Sequence, residues 1–375
     1  MTRAAAIATI VICSAAGVCP SAADVPEAVA TDAPTLQEQF QRAYASSKSL
    51  ADKGRYAEAV PFAKTALELG EKVFGEADAS TAKLTLNYGT LLEAAHRPIE
   101  AVSILDSAVK RFERLYGESA TELIEPLMTR ASAWAWSDPI SARYDFDRAI
   151  KIARDEAPED HLLEAQLNDR AGDALLAARA AEAGPYLEKN YRLVQTQLGD
   201  LDERTGDAAG DLARYEDGMH RTREAIRLMN LAIGTWSGAK TPDAARLERG
   251  HAYMVDLCER VGDHESAITH AQAIGALRAA DASSGARDAV PLFRVNPNYP
   301  RSAQMNGEEG WVQIEFTIDA NGAVKDPKVI DHEGDAFIQT ALAAFRRWRY
   351  APKYVDGQPV DSPGRRVVLR FNLED

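Results

Sequence analysis

The chain has 375 residues, 46% of them hydrophobic and 27% charged, with 57 acidic against 43 basic side chains and a formal net charge of −14. This composition fits a folded, water-soluble chain long enough for two cores and excludes disordered and membrane-embedded classes. The acidic excess argues against binding to phosphate backbones or anionic lipid, so no nucleic-acid partner is expected.

At the N-terminus, Arg3 precedes an apolar run from Ala4 to Val18, followed by Pro20 and Ser21-Ala22-Ala23. A basic start, a short apolar middle and a small-residue end describe a secretory signal peptide over residues 1–23, cut after Ala23. The run is short for a bilayer span. Val18 is bulky where lipoprotein processing at Cys19 takes a small residue, so a membrane anchor and a lipid anchor are the secondary readings. Cys13 and Cys19 fall in this segment, which leaves Cys258. One thiol makes neither an internal disulfide nor a zinc site. Among Val255, Leu257 and Val261 it reads as a buried, inert side chain.

Residues 35–278 carry a beat. GRYAEAVPFAKTALELGEKVFG from Gly54 aligns with HRPIEAVSILDSAVKRFERLYG from His96, pairing Ala59 with Ala101, Ala66 with Ala108 and Gly75 with Gly117, each 42 residues apart. The marker alanine returns at Ala142, Ala183, Ala225 and Ala267. A second alanine follows seven residues later at Ala66, Ala108, Ala149 and Ala232, with Asn190 the exception. Small residues seven apart share one helix face, where a neighbouring helix must come close. Each unit reads as two helices with a short turn: Leu86, Gly89 and Leu92 in one, Ala101, Ile104, Leu105 and Ala108 in the next. Fixed-period self-similarity is the mark of a stacked solenoid. The pattern resembles the tetratricopeptide repeat in its 42-residue form, as in kinesin light chains, with Arg143 and Gly184 departing from the apolar residue after the marker. That resemblance implies an array that holds a peptide or protein in its groove, while the alanines and leucines named here are inter-helix core.

No catalytic constellation is found, and the chain is not expected to be an enzyme. HESAITH from His264 has Ile268 where HExxH needs its second histidine, and His264 and His270 lie on different helix faces as surface residues. TIDANGAVKDPK has Thr317 and Lys328 at the first and last positions of a calcium loop, so it reads as a hairpin turn. No phosphate loop or nucleophile elbow appears. No metal and no cofactor are expected.

A small, polar stretch, residues 279–290, reads as a linker with few contacts across it. Beyond it Pro297-Asn298-Tyr299-Pro300 opens a short helix from Arg301 to Met305, closed by Gly307. Val312, Ile314, Phe316 and Ile318 then alternate with Gln313, Glu315 and Thr317, one face apolar and one wet. Asp319-Ala320-Asn321-Gly322 supplies a tight hairpin. A helix is predicted from about Asp335 to Trp348, with Phe337, Ile338, Ala341, Leu342 and Phe345 as its stripe and Arg346, Arg347 and Arg349 at its C-terminal end. Gly357-Gln358-Pro359 turns the chain into a last strand with Val367, Leu369, Phe371 and Leu373 inward and Val368 and Arg370 outward.

PNYP, the GxVxIxFxID strand, the NG turn, the AxxxWRYAP helix end and the GxPV turn, in that order, resemble the TonB C-terminal domain over residues 291–375. The resemblance implies a three-stranded antiparallel sheet with two helices, placed in the periplasm, gripping an extended segment of a TonB-dependent outer-membrane receptor by strand addition. The expected fold class is thus mainly α: a helical-hairpin solenoid followed by a small α+β domain. The partner-binding residues implied are the edge strand Arg366, Val367, Val368, Leu369, Arg370 and Phe371, with Arg365, Arg366 and Arg370 favouring an acidic segment. The energy-transducing family also uses a membrane-spanning helix with a Ser/His face and a Pro-rich spacer. Neither is matched here, so proton-motive coupling is not carried over. The functional expectation is a periplasmic protein-binding module linked to transmembrane transport, with the repeats as scaffold or second docking surface. The alternative is a structural adaptor in which this domain dimerises or closes the array.

Overall fold

The structure, a computed structural model, describes residues 34–280 and 288–373. The expected signal segment and the central part of the expected linker, residues 281–287, lie outside the described residues. The chain divides into two compact units, one ending at Tyr186 and the other starting at Leu187.

The first unit is helical: α1 (Leu36–Ala51), α2 (Tyr56–Phe74), α3 (Ala79–Ala94), α4 (Pro98–Tyr116), a 3-10 turn (Thr121–Leu123), α5 (Ile124–Trp134), α6 (Pro139–Glu156) and α7 (His161–Ala177), with the division falling inside α8 (Ala183–Leu198). Thr35 and Glu38 form a reciprocal capping box at the start of α1. Asp78, Asp138 and Asp160 cap α3, α6 and α7 by accepting from Ser80, Ser141 and Leu163 backbone N–H groups. Each such cap satisfies an otherwise orphaned donor and stabilises by about 1 kcal/mol. Ala59, Ala101 and Ala142 are fully buried, as are Ala108 and Ala149. Their small side chains let α2, α4 and α6 lie close against α1, α3 and α5. Successive repeats are tied by ion pairs: Arg111 of α4 to Glu71 of α2, and Arg148 of α6 to Glu113 of α4, both at 2.6 Å.

The second unit continues with α9 (Glu203–Gly218), α10 (Thr222–Ser237), α11 (Ala244–Val261) and α12 (His264–Ala280). Ala225 and Ala267 are again fully buried. Cys258 is buried on α11, and burial, helped by the nearby Asp263 and Glu259 charges, pushes its thiol up to about 11. That matches the inert reading. His270 is not the surface residue expected from sequence. It is half-buried, with its Nδ1 2.8 Å from Nδ1 of His251 across the α11–α12 hairpin.

The rest of the second unit is the small α+β domain: β1 (Val290–Phe293), α13 (Arg301–Asn306), β2 (Gly310–Ile318), β3 (Val324–Glu333), a 3-10 turn (Asp335–Phe337), α14 (Ile338–Phe345), β4 (Arg349–Ala351), β5 (Lys353–Val355), β6 (Gln358–Val360) and β7 (Ser362–Phe371). The three-stranded antiparallel sheet has the order β3-β2-β7, and short antiparallel pairs join β1 to β4 and β5 to β6. Two sequence expectations change here. The helix stops at Phe345 because Trp348 turns into the core, its indole N–H donating to the Val295 carbonyl at 3.0 Å. Arg349 therefore starts a strand and does not decorate the helix end. The later turn falls at Asp356-Gly357, both at positive φ, inside a two-residue hairpin. The expectation of few contacts across the join also fails, since α11 meets β1 and α12 meets β4 and β5.

Gly54 and Gly262 adopt left-handed φ of 70° and 80° five residues before their marker alanines, and His96 and His220 do the same at 58° and 62°. A non-glycine residue there costs roughly 1–2 kcal/mol, against about 0.5–1 kcal/mol of extra unfolded-chain entropy for glycine. His96→Gly or His220→Gly should thus raise the urea midpoint, by up to about 1 kcal/mol of stability. A lowered midpoint would assign the imidazole a contact of its own.

The His251–His270 contact makes the second unit sensitive to acid. Burial, then the neighbouring His251, lowers the His270 pKa from 6.5 to about 4, and burial lowers that of His251. Between those limits the unfolded chain binds more protons, so stability rises with pH. Acidification from 6.5 towards 4 should therefore destabilise the second unit, and less so in a His251→Leu/His270→Leu variant, as read by urea titration at each pH.

Candidate partner-binding edge

Alternation of apolar and polar residues places Val312, Ile314, Phe316 and Ile318 on one face of β2, each at most 5% exposed. They meet Leu369 and Phe371 of β7, Ala341 and Phe345 of α14, and Phe337, Trp348, Tyr350 and Ala303. Phe337 stacks on Phe371 with centroids 4.5 Å apart, and Phe316 meets Phe345 edge-on at 4.7 Å. Tyr299 of the PNYP segment packs edge-on against Phe337 and Phe371 and donates its hydroxyl to the Glu308 carbonyl. Tyr299 and Trp348 thus pack into the core of this domain. The Asp319–Gly322 segment is a hairpin turn: the Asp319 carboxylate accepts from the Asn321 and Ala323 backbone N–H groups, at 2.9 and 2.8 Å.

With β2 in the middle, β3 and β7 are the two edges. They are not equivalent. The β3 edge carries Pro327, a positive φ at Asp326 and two register shifts against β2, devices that blunt an edge. On β7 the irregularity is confined to one end, near Gly364, and residues 365–371 run in continuous register against β2.

Backbone parity fixes which groups of β7 face outward. The Asp319 N–H donates to the Ala323 carbonyl at 3.0 Å on the β3 side. Since β2 alternates without a break, the backbone groups of its even-numbered residues face β7. Their partners are Val367 for Ile314, Leu369 for Val312 and Phe371 for Gly310. The N–H and C=O groups of Arg366, Val368 and Arg370 consequently point away from β2. The same three residues have exposed side chains, whereas Leu369 and Phe371 are buried and Val367 is half-buried. The six residues predicted from sequence thus split into two sets, one turned outward and one turned towards β2 and the core. The strand ends at Phe371, and Leu373 lies beyond it with its N–H on Glu309.

The charge expectation needs correction. Arg365 makes two hydrogen bonds to Asp288, at 2.6 and 3.1 Å, and Asp288 has its pKa lowered by that contact. Arg366 pairs with Glu315, its cross-strand neighbour on β2, at 2.8 Å. Two of the three arginines are already neutralised by the domain's own carboxylates, which sequence spacing could not reveal. Arg370 stands beside Trp311 in the register.

A family model described as the Gram-negative bacterial TonB protein C-terminal matches residues 295–373. Residues 295–373 are a TonB C-terminal domain. A tetratricopeptide repeat model matches residues 40–114, so the chain joins such repeats to a TonB-type domain. The TonB protein of Vibrio cholerae is 37% identical over 89 residues, covering 24% of this chain and 36% of that protein. The TonB protein of Pseudomonas aeruginosa is 35% identical over 88 residues, covering 23% and 25%. The match therefore spans little more than a third of these relatives at most. Among solved structures, a Podosopora anserina kinesin light chain with nearly identical repeats aligns with a TM-score of 0.46 at 16% identity, over 55% of this chain and 96% of that one. BtubC from P. vanneervenii aligns with a TM-score of 0.46 at 15% identity, over 71% and 96%. No described helix is long and apolar enough to cross a membrane.

Gly310 is a point of close approach in the TonB-type sheet. A Cβ there would sit 2.1 Å from the Glu333 carbonyl oxygen and 2.8 Å from the Phe337 ring. Gly310→Val should abolish the near-ultraviolet circular dichroism of the sheet domain while most of the far-ultraviolet helix signal persists. An intact near-ultraviolet spectrum would show that β2 and β3 can separate at no cost.

Proposed function

We propose that the chain is a periplasmic protein-binding module whose TonB-type domain captures an extended segment of an outer-membrane receptor on β7. The chain's TonB-like and repeat modules are protein-interaction modules in general, and the finer reading rests on one observation. Arg366, Val368 and Arg370 turn both backbone hydrogen-bonding groups and side chains away from the sheet along a regular edge. Main-chain pairing would supply affinity, and these three side chains specificity. Export through the 1–23 segment and cleavage after Ala23 belong to the same proposal, and N-terminal sequencing of the mature chain tests them. The repeats would act as scaffold or second docking surface. A homodimer through β7 is the competing use of the same edge and would make the chain an adaptor, but Arg370 would repel its copy where two such strands crossed.

Proline at position 368 or 370 removes an outward N–H without opening a core cavity. Val368→Pro and Arg370→Pro, folded by circular dichroism, should lose most capture of receptor segments in a pull-down with envelope extract. Undiminished capture by a folded variant moves the site to the repeats. A change in sedimentation without loss of capture supports the dimer.

A further inference from the structure

In a stack of helical hairpins each outer face is covered by the next hairpin, and the last one needs a cap. Here the last hairpin is α11–α12, yet Ala271 and Gly275 of α12 are buried on a side that no further helix covers. The cover comes from the TonB-type domain. Phe293 of β1 packs with Val255 of α11 and Ala271 of α12. The Tyr354 ring of β5 lies on Gly275, where a Cβ would come within 2.6 Å of the ring and 2.9 Å of the Pro352 carbonyl oxygen. The Tyr354 hydroxyl donates to the Gln272 carbonyl at 3.1 Å, and the Gln272 side chain donates to Asn321 at 3.0 Å.

At the centre of this contact are two charges. Arg349 Nε of β4 stands 2.7 Å from Glu259 Oε1 of α11, with side chains 11% and 0% exposed. His264 Nδ1 lies 2.9 Å from the other Glu259 oxygen. A pair this dry gains little net stability over apolar residues of similar size, but loss of either partner alone leaves an uncompensated buried charge. Apolar contacts thus drive the docking, and the pair fixes its register.

We infer that the TonB-type domain takes the place of a further repeat: it is the C-terminal cap of the helical array, and α11–α12 and the sheet domain open and close as one cooperative unit. The inference is independent of strand addition. It makes α11–α12 an interaction surface whose occupant is the neighbouring domain of the same chain, and it holds the β7 edge in a fixed orientation to that hairpin.

Hydrogen–deuterium exchange on the full-length protein tests it. Glu259→Leu and Arg349→Met should each speed exchange about 10-fold or more in α12 and β2 alike, and the double variant should recover much of the protection, as neighbouring residues that act together do. Gly275→Val, which wedges the contact without touching the charges, should loosen the same two regions and leave α9 unchanged. Exchange confined to the substituted element, a double variant as loose as the two single effects combined, or wild-type protection of β2 in Gly275→Val would each overturn the cap.

Discussion

Val312, Ile314, Phe316 and Ile318 bury one complete face of β2 beneath α13 and α14, while its backbone pairs on both sides. A strand with those two properties must be the middle one. Everything distinctive about the TonB-type domain depends on that placement. It makes β3 and β7 edges, and it sets the parity by which Arg366, Val368 and Arg370 face outward. Bulges and Pro327 then interrupt one edge, so the two edges differ in the regularity of their strands and not in any special side chain.

The repeats solve a different problem. Their helices approach closely because alanine recurs where helix meets helix, and side-chain volume, not chemistry, carries the pattern. Most of the acidic excess belongs to this part of the chain. Between residues 288 and 373 there are 11 acidic and 11 basic side chains. The net charge of −14 thus says nothing of what β7 would hold, and Arg365 and Arg366 are spent on Asp288 and Glu315 within the domain.

Joining the two architectures has a physical cost that the contact at Glu259 and Arg349 reveals. A solenoid end and a sheet domain bring unlike surfaces together, and Gly275, Tyr354 and Phe293 make them fit. A flexible tether would need none of these residues to be packed against the other surface.

The sequence by itself determined whatever is written as a period. The 42-residue recurrence of alanine located the helical hairpins, and alternation located β2 and β7 with the inward and outward sides of both. The outward placement of Val368 and Arg370 was legible for the same reason. Strands β1, β4, β5 and β6 were not, because three or four residues carry no period and take their partners from distant positions, as Val290 does from Ala351. Only the tertiary structure decided that Arg349 would meet Glu259, that His270 would meet His251, and that two arginines of the edge strand were already paired. Each of these joins side chains far apart in the chain, and local sequence constrains the direction a side chain takes but not what it finds there.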